Sequence, residues 1–240
     1  MDGAIKGRIS SFQTLGTLDG PGVRFVVFMQ GCPLRCACCH NPETWDLSGG
    51  KEYTAAEVAA KAERYREYFG NDGGITLSGG EPLMQPEFAA EILKLCREKG
   101  IGTCLDTSGC FLDEKIKKIL EFTDYCMLDI KYTTDEKYRK YAGCSISQPL
   151  RFLDYLNKKG IATRIRQVII PGLNDDDDNL KALAEIIKAH PCIEKTELLA
   201  FRKLCVSKYQ KLGIAFPLAD VDETTQKTVS ELQKKLEKII

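Results

Sequence analysis

No charge of one sign dominates this chain: across 240 residues, 34 Lys and Arg stand against 34 Asp and Glu, for a formal net charge of zero. A generally basic nucleic-acid coat or an acidic tail needs an excess of one sign, so both are excluded. Long apolar runs are missing as well. No stretch approaches the ~18 apolar residues a membrane-crossing helix requires, and the first 20 residues hold no basic segment followed by an apolar one, as a secretory leader would. The expectation is a cytoplasmic protein that engages neither nucleic acid nor membrane. No Pro/Gly/Ser-rich linker and no repeat of solenoid period divides the chain, so one domain over residues 1–240 is expected. Eleven cysteines are an odd number and too small a share of this length for a disulfide-built scaffold, which points to reduced thiols.

What the sequence does have is a recurring alternation of short β-branched or aromatic runs with longer segments of helical periodicity. The strands are expected at 24–28, 75–77, 102–105, 125–130, 163–170 and 195–199, and helices at 54–69, 86–99, 112–121, 149–159, 177–189 and about 223–239. Thr54 with Glu57 forms a capping box, and Pro86 and Gly100 bracket the second helix. Strands alternating with helices imply a parallel sheet joined by right-handed crossovers. Six units are too few for a closed eight-unit barrel of about 250 residues, so the expected fold is α/β, a partial (β/α)6 barrel. Residues 1–23 and the last helix are additions to it.

In such a fold the loops leaving the carboxyl ends of the strands carry the chemistry. The first of them reads Gly31-Cys32-Pro33-Leu34-Arg35-Cys36-Ala37-Cys38-Cys39-His40-Asn41, a CxxxCxxC arrangement of Cys32, Cys36 and Cys39. Three soft thiolates suit zinc or iron-sulfur chemistry. Structural zinc wants a fourth protein ligand, for which His40 or Cys38 is available, whereas a cubane cluster takes one thiolate per iron and three cysteines leave one iron open. Spacing alone also permits the triad 32, 36 and 38. A second loop carries Gly79-Gly80-Glu81-Pro82, where two glycines let a polar ligand approach the main chain and Glu81 offers an anion to a cationic amino group. Asp106 and Asp129 end successive strands, and with Thr107 and the Met127 carbonyl they offer an all-oxygen site to a hard cation.

These motifs resemble the radical S-adenosylmethionine superfamily, whose cluster loop is CxxxCxxC after the first barrel strand and whose GGE segment follows the second. More narrowly, Gly16-Thr17-Leu18-Asp19-Gly20-Pro21-Gly22, Cys39-His40-Asn41-Pro42, Leu105-Asp106-Thr107-Ser108-Gly109 and Met127-Leu128-Asp129-Ile130-Lys131 resemble the family that activates pyruvate formate-lyase, over nearly the whole chain. The resemblance implies a radical S-adenosylmethionine barrel with a 4Fe-4S cluster on Cys32, Cys36 and Cys39. Cofactor contacts are implied at Cys38, Gly79, Gly80, Glu81, Asp129, Lys131, Val168 and Arg202, and a monovalent cation, Na or K, at Asp106, Thr107, Met127 and Asp129. Asp19, His40 and Arg166 are implied to surround the glycine loop of a partner, a glycyl-radical enzyme such as pyruvate formate-lyase. The implied reaction is one-electron cleavage of S-adenosylmethionine to a 5'-deoxyadenosyl radical that takes a glycine Cα hydrogen, with flavodoxin or ferredoxin as donor and no general base.

Two departures stand out. Cys38 sits where the family commonly has an aromatic residue beside adenine, and Ala200-Phe201-Arg202 replaces a Pro-Tyr-His run, which puts a permanent charge at Arg202. No further cysteine-rich insertion follows the first motif, which favours the pyruvate formate-lyase type. The rival readings are a radical enzyme acting on another glycyl-radical enzyme or a small molecule, and a zinc-binding or thiol-redox scaffold.

Overall fold

The computed structural model describes residues 4–240, and the protein divides by packing into two compact units. One runs up to Pro33 and resumes over Thr44–Met127; the other comprises Leu34–Glu43 and Leu128–Ile240. The strands are β1 (Lys6–Gly16), β2 (Arg24–Met29), β3 (Lys51–Thr54), β4 (Gly74–Gly79), β5 (Gly102–Thr107), β6 (Tyr125–Asp129), β7 (Ala162–Ile169) and β8 (Ile193–Ala200). The helices are α1 (Ala55–Glu63), α2 (Arg66–Phe69), α3 (Pro86–Glu98), α4 (Glu114–Leu120), α5 (Asp135–Tyr141), α6 (Ser147–Lys159), α7 (Asp177–Ala189), α8 (Val206–Leu212) and α9 (Gln226–Ile239). All six strands expected for the partial barrel are present, each within a few residues of its expected place, and the βα alternation from β2 onward is the expected α/β class.

In the first unit the strand order is β3-β1-β2-β4-β5-β6, with β2, β4 and β5 parallel and β1 antiparallel to both β2 and β3. Val26, Val27, Ile75, Leu77 and Leu105 on these strands and Val58, Ile92 and Leu93 on α1 and α3 are fully buried. Each such side chain removed from water contributes on the order of 1.5–3 kcal/mol, which fixes the face each helix turns to the sheet. In the second unit β7 lies between the end of β6 and β8, parallel to β8, where the order ends. α9 packs on β8 and α7.

The structure adds to the expected elements. Residues 4–23 contribute β1, which the sequence hides because its burial alternates only in the first half. α5 and α8, seven residues each, are too short to show a helical period. The helix expected over 54–69 stops at Glu63, and the break lets Tyr65 stack on Phe25, with ring centroids 5.4 Å apart. The Thr54–Glu57 capping box and the Pro86 start are as expected; Gly100, with φ of 70°, follows α3. α9 begins at Gln226, where Thr225 caps it, rather than near Glu223.

A buried cation organises the amino ends of the strands. Arg24, 2% exposed, donates from Nε to Thr76 Oγ1 (3.0 Å), from Nη1 to Pro21 O (3.3 Å) and Asp72 O (3.2 Å), and from Nη2 to Ile75 O and to Gly102 O (3.2 Å). Thr76 Oγ1 passes the network on to Asp19 O at 2.7 Å. Arg24→Met leaves these acceptors buried without donors. We expect a loss of about 3 kcal/mol or more in urea unfolding of the metal-free protein, with Arg24→Lys recovering only part of it; a change within experimental error for Arg24→Met would contradict this role.

Candidate functional site

The thiol loop starts where β2 ends and is held by its main chain. Gly31, with φ of 97°, donates N–H to Thr44 O (2.8 Å), and Cys32 N–H reaches Trp45 O at 3.4 Å. Further along, Ala37 N–H donates to Tyr141 O (2.8 Å), Cys39 N–H closes a turn on Cys36 O (3.0 Å), and Tyr209 Oη donates to Cys39 O (3.2 Å). Lys208 Nζ grips Asn41 Oδ1 (2.8 Å) and Glu43 just beyond. Cys32, Cys36, Cys38 and Cys39 are half-buried, and none of the 11 cysteines is in a disulfide.

Burial pushes the Cys38 thiol up to about 11, outweighing the pull of Lys131. Among the described residues no three Cys, His, Asp or Glu side chains converge on a single-ion site. A cubane needs no such convergence, because each thiolate binds its own iron. A loop of three soft donors with its backbone already satisfied fits that group.

The Gly79–Glu81 segment packs on the start of the same loop. Gly80 N–H donates to Met29 O (2.8 Å) and Glu81 N–H to Gly31 O (2.9 Å), and a Cβ on Gly80 would stand 2.4 Å from Gly31 O. Gly79 has φ of 106° and abuts Met29 N in the same way. The two glycines thus serve a close approach of two main chains. Glu81, 1% exposed, accepts from Thr107 Oγ1 (2.6 Å), Leu83 N (3.2 Å), Ser108 N (3.0 Å) and Ser108 Oγ. Burial raises its carboxyl above the ordinary value, with Ser108 and Thr107 opposing the shift. Its carboxylate ties this turn to the end of β5. Asp106, beside it, accepts from Ser78 Oγ at 2.7 Å, and Met127 is buried in β6.

At the end of β6 a half-buried charge cluster faces the thiols of Cys36 and Cys38. Asp129 Oδ2 pairs with Lys131 Nζ (2.9 Å), and Asp129 Oδ1 takes Arg166 Nε (3.0 Å) and Nη2 (2.9 Å). Burial by itself would raise the Asp129 carboxyl; Arg166 and Lys131 overcome it and bring it from 3.8 down to about 2. Lys131 is held well above the ordinary lysine value: burial opposes its charge, but Asp129 and then the thiols of Cys36 and Cys38 outweigh it. The cluster carries one net positive charge. The same strand ends are latched by Asn174, fully buried, which donates from Nδ2 to Lys131 O (3.2 Å) and Val168 O (2.9 Å) and accepts from Ile170 N (2.7 Å).

The remaining predicted residues are more dispersed. Arg202 pairs with Glu223 at 3.3 Å, and exposed His40 donates Nε2–H to Arg202 O at 3.0 Å. Asp19 lies in the turn entering β2, whereas Cys32 follows the opposite end of that strand. Sequence reasoning missed Asn174, Tyr138 and Tyr209. The turn run Pro171-Gly172-Leu173-Asn174 offered a signal for the first; the tyrosines, on short helices, gave none. A cleft of about 660 Å³ between β8 and α9, lined by Thr196, Leu198, Val229 and Gln233 among others, holds none of the predicted residues.

The charge cluster makes stability pH-dependent in a defined sense. Asp129 binds its proton less tightly when folded, so its stabilisation is fully present above about pH 4 and is lost as the pH falls through 2, an effect of about 2–3 kcal/mol. Urea unfolding of the metal-free protein at a series of pH values measures it. Asp129→Asn should flatten this part of the profile and, at neutral pH, lower stability by about 2–3 kcal/mol by leaving two half-buried cations without their anion. Equal slopes in variant and wild type would remove the assignment.

With this geometry in hand, comparisons with known proteins converge. Residues 26–184 match the family model of the Radical SAM superfamily. A pyruvate formate-lyase-activating enzyme of Clostridium pasteurianum is 43% identical over 98% of this chain and 99% of its own, and the pyruvate formate-lyase 1-activating enzyme of Escherichia coli K12 is 40% identical over 98% and 96%. The crystal structure of a domain of pyruvate-formate lyase-activating enzyme from Bacteroides vulgatus superposes with a TM-score of 0.58 at 23% identity, over 70% of this chain and 94% of that one, a likeness of fold. The thiol loop at the end of β2, the glycine-glycine-glutamate turn at the end of β4 and these matches agree: the chain belongs to the radical SAM superfamily, and within it to the glycyl-radical activases most like the pyruvate formate-lyase-activating enzymes.

Proposed function

We propose that this chain installs the glycyl radical of pyruvate formate-lyase, with Cys32, Cys36 and Cys39 holding a 4Fe-4S cluster that leaves one iron to S-adenosylmethionine. The observation that carries this reading is the near full-length likeness to two activating enzymes of that name, on a chain whose first strand ends in the three-thiol loop. When bound, the cluster supplies the electron, and S-adenosylmethionine the 5'-deoxyadenosyl radical, that removes a glycine Cα hydrogen.

The chain's own residues hold and orient. Main-chain bonds to Thr44, Trp45 and Tyr141 and the Tyr209 hydroxyl restrain the backbone of the loop that carries the three thiols. Lys131 and Arg166 surround one carboxylate and leave one positive charge in excess, suited to hold the cofactor's carboxylate. With the Glu81 side chain engaged by Thr107 and Ser108, its service to the cofactor is to fix the Gly79–Gly80 main chain, whose carbonyls suit an amino group. Val168 and Cys38 offer apolar contact to adenine, and Arg202, restrained by Glu223, stands in for a neutral histidine.

His40 and Arg166 are the proposed contacts for the partner's glycine loop. Asp19 joins them if the bound segment extends along β2, whose six residues span roughly 20 Å. A monovalent cation, Na or K, at Asp106, Thr107, the Met127 carbonyl and Asp129 competes with Ser78 for Asp106 and with two cations for Asp129. A flavodoxin or ferredoxin is the proposed electron donor.

Anaerobically reconstituted, reduced protein mixed with S-adenosylmethionine and formate acetyltransferase should give a glycine-centred paramagnetic doublet. Cofactor cleavage with no protein radical would instead favour a small-molecule substrate. The same preparation should hold about four iron and four sulfide per chain. Changing Cys32, Cys36 or Cys39 to Ala should bring the cluster absorbance close to background, while Cys38→Ala should retain most of the iron. Stoichiometric zinc without iron after anaerobic purification would overturn the cluster.

A further inference from the structure

Tyr132 directly follows Lys131 of the charge cluster and is itself 1% exposed. Its ring lies between Tyr138, nearly perpendicular with centroids 6.2 Å apart, and Tyr141, tilted with centroids 5.5 Å apart. The Tyr138 hydroxyl is engaged, and the main chain of Tyr141 holds the thiol loop. Tyr138 Oη donates to Asp129 O (3.2 Å), and the Tyr141 carbonyl accepts Ala37 N–H from the thiol loop (2.8 Å). One residue on, Ala142 O lies 3.9 Å from Cys36 Sγ.

Tyr132 Oη, by contrast, is buried with no hydrogen-bond partner. A phenylalanine would fill the same space without burying an unused O–H, so the hydroxyl implies an acceptor that the protein alone does not provide. Its surroundings indicate where that acceptor lies. Its ring packs on Tyr141, whose carbonyl holds the thiol loop at Ala37, and the next carbonyl, of Ala142, meets Cys36 Sγ, which puts the ring beside the cluster loop; burial pushes the phenol above its ordinary range.

We propose that Tyr132 donates its O–H to sulfur of the cluster at the Cys36 corner and thereby sets how readily that cluster is reduced. The inference rests on the cluster reading above and deepens it. A donor on cluster sulfur stabilises the more negative, reduced state, so it raises the reduction potential. Tyr132 is a tuning residue, with no part in the radical transfer itself.

Tyr132→Phe removes only the hydroxyl and keeps the aromatic stack. In metal-free protein its melting temperature should equal or exceed that of the wild type, because an unused buried donor has been deleted. A drop of several degrees would show that the hydroxyl already has a partner and would overturn the proposal. In reconstituted protein, a titration followed by paramagnetic resonance should find reduction roughly tenfold less favourable in the variant, about 59 mV lower for one electron. Iron-sulfur stretching bands should also shift less in D2O for Tyr132→Phe than for the wild type. An unchanged potential in a variant carrying a full cluster sinks this inference alone, whereas a wild type that assembles no cubane sinks it together with the cluster reading.

Discussion

The site depends on holding the Gly31–Asn41 loop by its main chain. A cysteine loop meant for iron must keep its sulfurs available while its backbone stays in place, and those demands compete if side chains do the anchoring. Here Gly31 and Cys32 are bonded to Thr44 and Trp45 within the first unit, and Ala37 and Cys39 to Tyr141 and Tyr209 within the second. Gly80 belongs to the same solution. Any side chain there would strike the Gly31 carbonyl, so the glycine-glycine pair is what lets the end of β4 lie against the beginning of the thiol loop.

Electrostatics around that loop follow from burial. Asp129 is sandwiched by Lys131 and Arg166, which stay charged although half-buried, and the surplus positive charge faces Cys36 and Cys38. Glu81 is handled differently. With no cation beside it, its carboxylate is satisfied by two hydroxyls and two main-chain N–H groups, and it locks the turn after β4 to the end of β5. At the far end of the first unit Arg24 inverts the scheme, a cation satisfied by four carbonyls and a hydroxyl.

The partial barrel was legible because β2, β4, β5 and β6 are short runs rich in apolar residues and β7 alternates cleanly, each between helices long enough to show a period. The thiol loop was legible because its three cysteines are local in sequence. What stayed hidden depends on contacts far apart in the chain. β1 half-alternates and is a strand because β2 pairs with it. Asn174 reads as one more turn residue until three partners from two strand ends are seen on it. Tyr132 and Tyr209 sit between polar neighbours, Lys131 and Thr133 for the first and Lys208 and Gln210 for the second, so nothing local marks either as buried. Glu81 was read as an anion for a ligand, while the structure shows its lone pairs committed to the chain, a matter of tertiary proximity to Thr107 and Ser108.

The central claim is that the radical generated on this scaffold takes hydrogen from the α-carbon of a partner's glycine. The most direct measurement is the isotopic content of the 5'-deoxyadenosine released when the reduced, cluster-loaded protein acts on formate acetyltransferase built with α-deuterated glycine. The account predicts one deuterium in the nucleoside for each radical formed on the partner. Nucleoside released without deuterium, while the partner stays diamagnetic, would contradict it.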